Sequence, residues 1–263
     1  MEIEIGYTDR EITPWGGMVL LRKMLEKINF STALKSCPDL PISGSNRGYE
    51  SQTIIESFIV SIWGGANRFL HTEVVRHDKA LSKIFEWKRT PGQDTYKRFF
   101  AKFDMAKNIR VSDYLYSWIF DNTQFNNFTL DFDSSTLTRY GSQEGAKKGY
   151  NVHKPGRNSH HPLMAFVADV KLVANFWLRS GNSSASEGFV PFLEDTLGKL
   201  KNKTVGLLRM DSGFYSKTIF EYLEKRALNY IISAKFYEPI QQMIAQNTVW
   251  LALDKGIEIA EIS

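Results

Sequence analysis

Apolar positions along the first half of the chain recur at the three-to-four-residue spacing of amphipathic helices. Those of the second half fall into short runs and alternations that read as strands. Val19, Leu20, Leu21, Met24, Leu25 and Ile28 outline a first helix. Ile54, Ile55, Phe58, Ile59 and Ile62 form the expected buried stripe of a second, from Gln52 to Trp63, which Gly64-Gly65 interrupts. Leu81, Ile84 and Phe85 mark a short helix closed by Pro91-Gly92. Another opens near Gln93, with Asp94 as the expected N-cap, and the last helix of this half runs from Val111 to Phe120. The polar stretch from Asp121 to Asn127 breaks the pattern.

Beyond it, Phe128–Asp133, Leu163–Ala168, Leu172–Leu178, Thr204–Met210 and Asn229–Ser233 read as strands. Helices are expected over Gly188–Leu200 and Lys217–Lys225. The link Val170-Lys171 is short enough only for a hairpin, so the second and third strands should be antiparallel. The resulting order, β-β-β-α-β-α-β, predicts a mixed α/β sheet preceded by an all-α domain. The strand-helix-strand units within it require parallel pairing with right-handed crossovers. Expected domain bounds are 1–122 (helical), 123–235 (α/β core) and 236–263, where the alternation after Gly256 starts a β-rich segment. In this last segment Glu238 precedes a proline, which argues against a helix at that point.

Composition narrows the class. The 263 residues are 43% hydrophobic and 24% charged, enough for a sizeable core. A single cysteine, Cys37, excludes an internal disulfide. No apolar run reaches the roughly 18 residues of a membrane span, and the N-terminus lacks a signal-peptide pattern. A cytoplasmic protein is therefore expected. The net charge of +4 permits nucleic-acid binding without demanding it.

The chemistry concentrates at two strand ends, Leu130-Asp131-Phe132-Asp133-Ser134-Ser135 and Leu208-Arg209-Met210-Asp211-Ser212-Gly213. In open α/β sheets ligands gather at the carboxyl ends of the strands. If the first and fourth strands are neighbours, Asp133 and Asp211 emerge on one edge, within reach of a shared divalent cation, which prefers oxygen ligands. Asp131 lies two residues before Asp133 on the same strand face and is the second choice, a supporting carboxylate. His153, His160 and His161 lack cysteine partners and helical His-Glu-x-x-His spacing, so a zinc reading is weak. Tyr150 and Trp177 are expected to pack in the core, and Glu144 and Glu187 to serve on the surface.

Together with Gly141-Ser142-Gln143-Glu144-Gly145-Ala146, Leu178-Arg179-Ser180-Gly181-Asn182 and Arg209-Met210-Asp211-Ser212-Gly213-Phe214, these segments make a set whose order and spacing are informative. The chain resembles the DDE transposases of bacterial insertion sequences. The group concerned has a helical N-terminal domain, a ribonuclease-H-like core and an inserted β-rich segment. The resemblance implies that Asp133 and Asp211 are catalytic and hold Mg²⁺, with Mn²⁺ as an alternative, for in-line phosphoryl transfer on DNA. It implies a homodimer acting on transposon ends and target DNA, in a bacterial cytoplasm at the nucleoid. Lys97 and Arg98 on the helix after Gln93, and Lys147, Lys148, Lys154 and Arg157 in the long loop after the first strand, are read as phosphate contacts. A solvated helix face and a solvated loop are the bland alternatives. Arg179 and Asn182 would position DNA or brace their loop.

The family's third acid, in a Tyr-x-x-Arg-x-x-x-Glu pattern, has no counterpart after Ser233. Glu238, Glu258 and Glu261 are the downstream glutamates. On this reading the chain is a C-terminally truncated member, unable by itself to complete strand transfer. Two further readings stand beside it: a non-catalytic DNA-binding inhibitor of transposition, and a ribonuclease-H-like nuclease of other purpose.

Overall fold

The computed structural model describes residues 6, 8–45 and 47–261. It divides into two compact units, residues 1–124 and 125–263.

The first unit is helical throughout: α1 (Met18–Lys27), α2 (Phe30–Ser36), α3 (Ser51–Trp63), a 3₁₀ turn (Phe69–His71), α4 (Thr72–His77), α5 (Lys79–Ile84), α6 (Gln93–Phe100) and α7 (Met105–Asp121). Met18, Leu21 and Leu25 of α1 pack with Val60, Val75, Leu81, Phe85 and Trp87 in one cluster, and Ile54, Tyr96 and Phe99 form another. The buried stripe of α3 is rotated from the expected one. Ile62 is exposed, while Ser57 and Ser61 are buried. The small serines allow close approach, and their hydroxyls donate to the carbonyls of Thr53 and Ser57 four residues back. Tyr96 donates to the Ser57 hydroxyl at 2.8 Å, and burial pushes its phenol up to about 12. The N-cap of α6 is Gly92 rather than Asp94, which lies inside the first turn. Glu73 of α4 supplies the missing cap, its carboxylate accepting from the Gln93 amide at 2.9 Å. That contact comes from another helix, so no local pattern announces it.

The second unit is built on a five-stranded sheet of β1 (Phe128–Ser134), β5 (Leu163–Val167), β6 (Leu172–Trp177), β7 (Val205–Met210) and β8 (Tyr230–Ile232). A smaller sheet interrupts the sequence after β1, with β2 (Leu137–Thr138), β3 (Lys147–Lys148) and β4 (Asn158–His160). Helices α8 (Phe189–Leu200) and α9 (Lys217–Lys225) form the crossovers into β7 and β8. The strands lie in the order β6-β5-β1-β7-β8, with β5 antiparallel to both β1 and β6, and with β1, β7 and β8 mutually parallel. This is the expected β-β-β-α-β-α-β order, in the ribonuclease-H-like arrangement.

Alternation divides the sheet into two faces. Phe128, Leu130, Phe132, Leu208 and Met210 are buried, and α8 packs over them, with the rings of Phe132 and Phe189 edge to face at 5.0 Å. Phe189 in turn meets Phe214 at 5.0 Å. The other face carries Asp131, Asp133, Phe166, Val173, Phe176, Arg209 and Ile231, placed together by the strand registers. Val173, Phe176 and Ile231 are 40%, 44% and 58% exposed there, so among the described residues no helix of this unit seals them.

At the end of the described chain, α10 (Glu238–Gln246) is followed by the exposed hairpin β9 (Leu251–Asp254) and β10 (Ile257–Ile259). Glu238 opens this helix despite the proline after it. Pro239 sits in the first turn, where its fixed φ and missing N–H fit. Tyr150 is not a core residue but is 79% exposed, because it lies in the loop after β3. Trp177 does pack inward, edge to face on Phe192 at 5.4 Å, and its indole donates to Asp195.

Candidate active site

β1 and β7 are adjacent and parallel, with Asp131 opposite Arg209 and Phe132 opposite Met210. Continuing that register by one residue sets Asp133 beside Asp211 at the carboxyl ends of both strands, on neighbours about 4.8 Å apart. Both belong to the uncovered face, because Leu130, Phe132, Leu208 and Met210 alternate onto the other.

Each acid is steadied by one backbone amide. The Asp211 carboxylate accepts from Gly213 N at 2.8 Å and caps a 3₁₀ turn, Ser212–Phe214. Asp133 accepts from Ser134 N at 2.7 Å. In each case the bond uses Oδ1. Neither side chain has a cationic partner among the described residues, and both residues are exposed. Two oxygen donors on adjacent strand ends, without a neutralising lysine or arginine, suit a hard divalent cation. Among the described residues no group of three His, Cys, Asp or Glu side chains is arranged to hold a metal.

Asp131 has a different partner. Arg209 grips it with two parallel bonds, Nε to Oδ1 at 2.7 Å and Nη2 to Oδ2 at 2.6 Å. Both carboxylate oxygens are thus engaged. The hydrogen bond and charge of Asp131 hold the Arg209 guanidinium above its ordinary pKa. This pair ties β1 to β7 just below the two free acids.

The strand end is also braced from the side of β6. Arg179 donates through Nε to the His161 carbonyl at 3.0 Å, and through Nη1 to the carbonyls of Ser184 and Glu187. Its Nη2 reaches the Ser134 hydroxyl at 3.4 Å, and that hydroxyl donates to the Pro162 carbonyl at 3.0 Å. Burial lowers the pKa of this guanidinium, and backbone carbonyls take up its donors. These bonds tie the loop after β6 to the end of β1. Asn182 accepts a hydrogen bond from Ser180.

The remaining basic candidates belong to other elements. Lys147 and Lys148 form β3, and Lys154 and Arg157 lie in the following loop, all four exposed and without a carboxylate partner among the described residues. In the helical unit, Lys97 is ion-paired with Asp94 at 3.3 Å, whereas Arg98 is exposed. His160 and His161 are held by protein atoms. Arg139 donates to His160 Nδ1 at 2.8 Å, the opposite His160 nitrogen meets the Glu144 carbonyl at 2.9 Å, and His161 Nδ1 meets the Ser183 carbonyl at 2.6 Å. Sequence reasoning passed over Arg139 and Tyr140. The available signal was an arginine-aromatic pair closely following a strand that ends in an acid.

A family model described as transposase DDE domain group 1 matches residues 1–254. The chain belongs to this transposase family. Divalent-metal dependence is general to DDE domains.

No curated relative matches the DDE domain described here. Among solved structures, it is similar to the piggyBac transposase synaptic complex with hairpin DNA, at 14% identity and a TM-score of 0.49. That alignment covers 91% of this chain and 57% of the other. It is also similar to the Drosophila P element transposase strand transfer complex (12% identity, TM-score 0.37, 82% and 47% coverage) and to the Mos1 transposase paired-end complex (9%, 0.30, 85% and 79%). The chain thus spans little more than half the length of the first of these proteins. At such scores the likenesses add nothing to the family assignment. No described helix is long and apolar enough to cross a membrane.

Proposed function

We propose that this chain is a DNA transposase of the in-line phosphoryl-transfer type, with Asp133 and Asp211 as its metal-holding acids and the family's third acid not found among the described residues. The observation that supports the reading is the parallel register of β1 and β7, whose continuation by one residue past Phe132 and Met210 pairs Asp133 with Asp211. Asp133 and Asp211 would hold Mg²⁺ or Mn²⁺. When bound, such a cation polarises the scissile phosphate and activates the attacking water or 3′-hydroxyl. The protein's own part is placement. Gly213 N fixes Asp211, the Asp131–Arg209 pair ties the two strands together, and Arg179 links the loop after β6 to Ser134 at the end of β1. Lys147, Lys148, Lys154, Arg157 and, in the helical unit, Lys97 and Arg98 would contact DNA phosphates. A homodimer on DNA, a bacterial insertion-sequence origin and a nucleoid location belong to the same reading.

One observation favours a second reading. Among the described residues the two acids have no third ligand, and a two-metal site usually needs more carboxylate than this pair supplies. The chain would then occupy DNA without cutting it and act as an inhibitor of transposition.

A supercoiled plasmid incubated with the purified chain and Mg²⁺ or Mn²⁺ separates the two. Metal-dependent nicking that falls at least 100-fold in Asp133→Ala and Asp211→Ala, a loss of roughly 3 kcal/mol of transition-state stabilisation, supports the first. DNA binding without nicking in either metal supports the second.

A further inference from the structure

The small sheet, in the order β2-β4-β3, carries a cleft of about 430 Å³ that none of the acids enters. Its lining includes Arg139, Tyr140, Lys148, Arg157 and Asn158. Three of these are cations, and none has a carboxylate partner among the described residues. Arg139 is half-buried and pinned twice. Its amide donates to the Asn158 carbonyl at 2.8 Å, and its Nε donates to His160 Nδ1 at 2.8 Å. Because that ring nitrogen accepts, the His160 proton lies on the other nitrogen and points at the Glu144 carbonyl. The histidine therefore aims Arg139 without neutralising it, and the two terminal guanidinium nitrogens have no partner among the described residues. Tyr140 stands beside it, 72% exposed, with the Arg157 guanidinium over its ring at 5.7 Å.

Cations alone would describe any phosphate-binding surface. The exposed ring narrows the ligand, because an aromatic face next to a phosphate site is how proteins hold unpaired bases, which a duplex keeps stacked and out of reach. We infer that this cleft binds one unpaired DNA nucleotide, its phosphate against Arg139, Lys148 and Arg157 and its base on Tyr140. The inference rests on the DNA-processing reading and deepens it. Arg139 follows Asp133 by six residues, so its Cα lies at most about 22 Å from that of Asp133. Single-stranded DNA leaving the acid pair would thus have a nearby holding point.

The test uses fluorescence anisotropy of the full chain with a fluorescein-labelled single-stranded oligonucleotide and with the duplex of the same sequence. Tyr140→Ala should weaken single-strand binding between about 5- and 150-fold, the range expected of one stacked base, and leave duplex binding within about twofold. Tyr140→Phe should restore it. Arg139→Ala and Arg157→Ala should each lower the slope of log K against log salt for the single strand by about 0.7. Thermal melts of Tyr140→Ala and Arg139→Lys guard against misfolding, since the tyrosine is exposed and the lysine keeps the charge. Equal effects of Tyr140→Ala on both DNAs, or no effect on either, would overturn the inference. If those same variants bind like wild type while metal-dependent plasmid nicking persists, the cleft is wrong and the function stands. Failure of the wild-type chain to bind either DNA removes both.

Discussion

The two faces of the five-stranded sheet come from the same strands and obey opposite rules. On one, Leu130 and Phe132 alternate with the acids of β1 and are sealed beneath α8, with Phe189 and Phe192 fully buried against them. On the other, Asp131 and Asp133 share space with half-exposed Val173 and Phe176. A single β-strand thus spends alternate residues on holding the unit together and on presenting charge. The difference teaches that the acidic edge owes its geometry to the far side of the sheet. Asp133 and Asp211 make few contacts of their own, and their placement depends on the packing of residues next to them in sequence.

The sharpest way to break this division is to attack the covered face. Phe189→Ala removes a fully buried ring that touches both Phe132 and Phe214. It should destabilise the second unit by about 3–5 kcal/mol, read as a lower denaturant midpoint. An unchanged midpoint would mean that α8 is not what fixes the strand ends.

A smaller effect is expected where the small sheet meets the loop after β6. A Cβ on Gly149 would lie 1.8 Å from the Gly181 carbonyl oxygen, and one on Gly181 would lie 2.4 Å from the Lys147 carbonyl oxygen. Both obstacles are backbone, so neither can swing aside. Gly181→Ala should cost about 1–3 kcal/mol, detected as a lower melting temperature. It should also loosen the cleft, whereas Gly198→Ala, with open space around it, should do neither.

What was legible beforehand follows the same division. The five strands and both crossover helices could be read because their apolar runs alternate and are bounded by turns, and the hairpin link at Val170-Lys171 set the antiparallel pair. The adjacency of Asp133 and Asp211 was conditional on β1 and β7 pairing, which no local pattern can decide. The small sheet was read as a loop, since two- and three-residue strands such as Lys147–Lys148 are too short to show a period. The partners of Asp131, Arg179 and Gln93 were also invisible, because each bond joins residues brought together only by the fold. In α3 the buried serines defeated a rule that looks for apolar stripes, as polar groups can be buried once hydrogen-bonded.

Between these extremes stands Asp195 on α8. Burial raises its pKa, but hydrogen bonds from Lys199, Asn175 and Trp177 outweigh it and hold the carboxyl below its ordinary value of 3.8. A depressed folded pKa contributes stability that is fully present above 3.8 and is lost as pH falls through the lower folded value. Asp195→Asn should therefore cost about 1–2 kcal/mol at neutral pH, discounted for its partial exposure. The deficit relative to wild type should shrink in strongly acidic buffer. A deficit independent of pH would show that the residue acts through packing alone.

The smallest stability effect belongs to the acids themselves. Asp133→Asn and Asp211→Asn remove charges that no cation among the described residues balances, so without metal each should change the unfolding free energy by no more than about 0.5 kcal/mol. A slight gain is expected, because two like charges on adjacent strand ends repel. Millimolar Mg²⁺ reverses the order. A ligand that binds only the folded state stabilises it in proportion to the logarithm of its concentration over its dissociation constant. The wild-type melting temperature should therefore rise with Mg²⁺ and fall back with EDTA, while both variants stay flat. A wild type indifferent to Mg²⁺ and Mn²⁺ would leave the acid pair without its proposed cation. An equal rise in all three proteins would locate the metal elsewhere and dissolve the contrast between a face that folds the unit and a face kept open for chemistry.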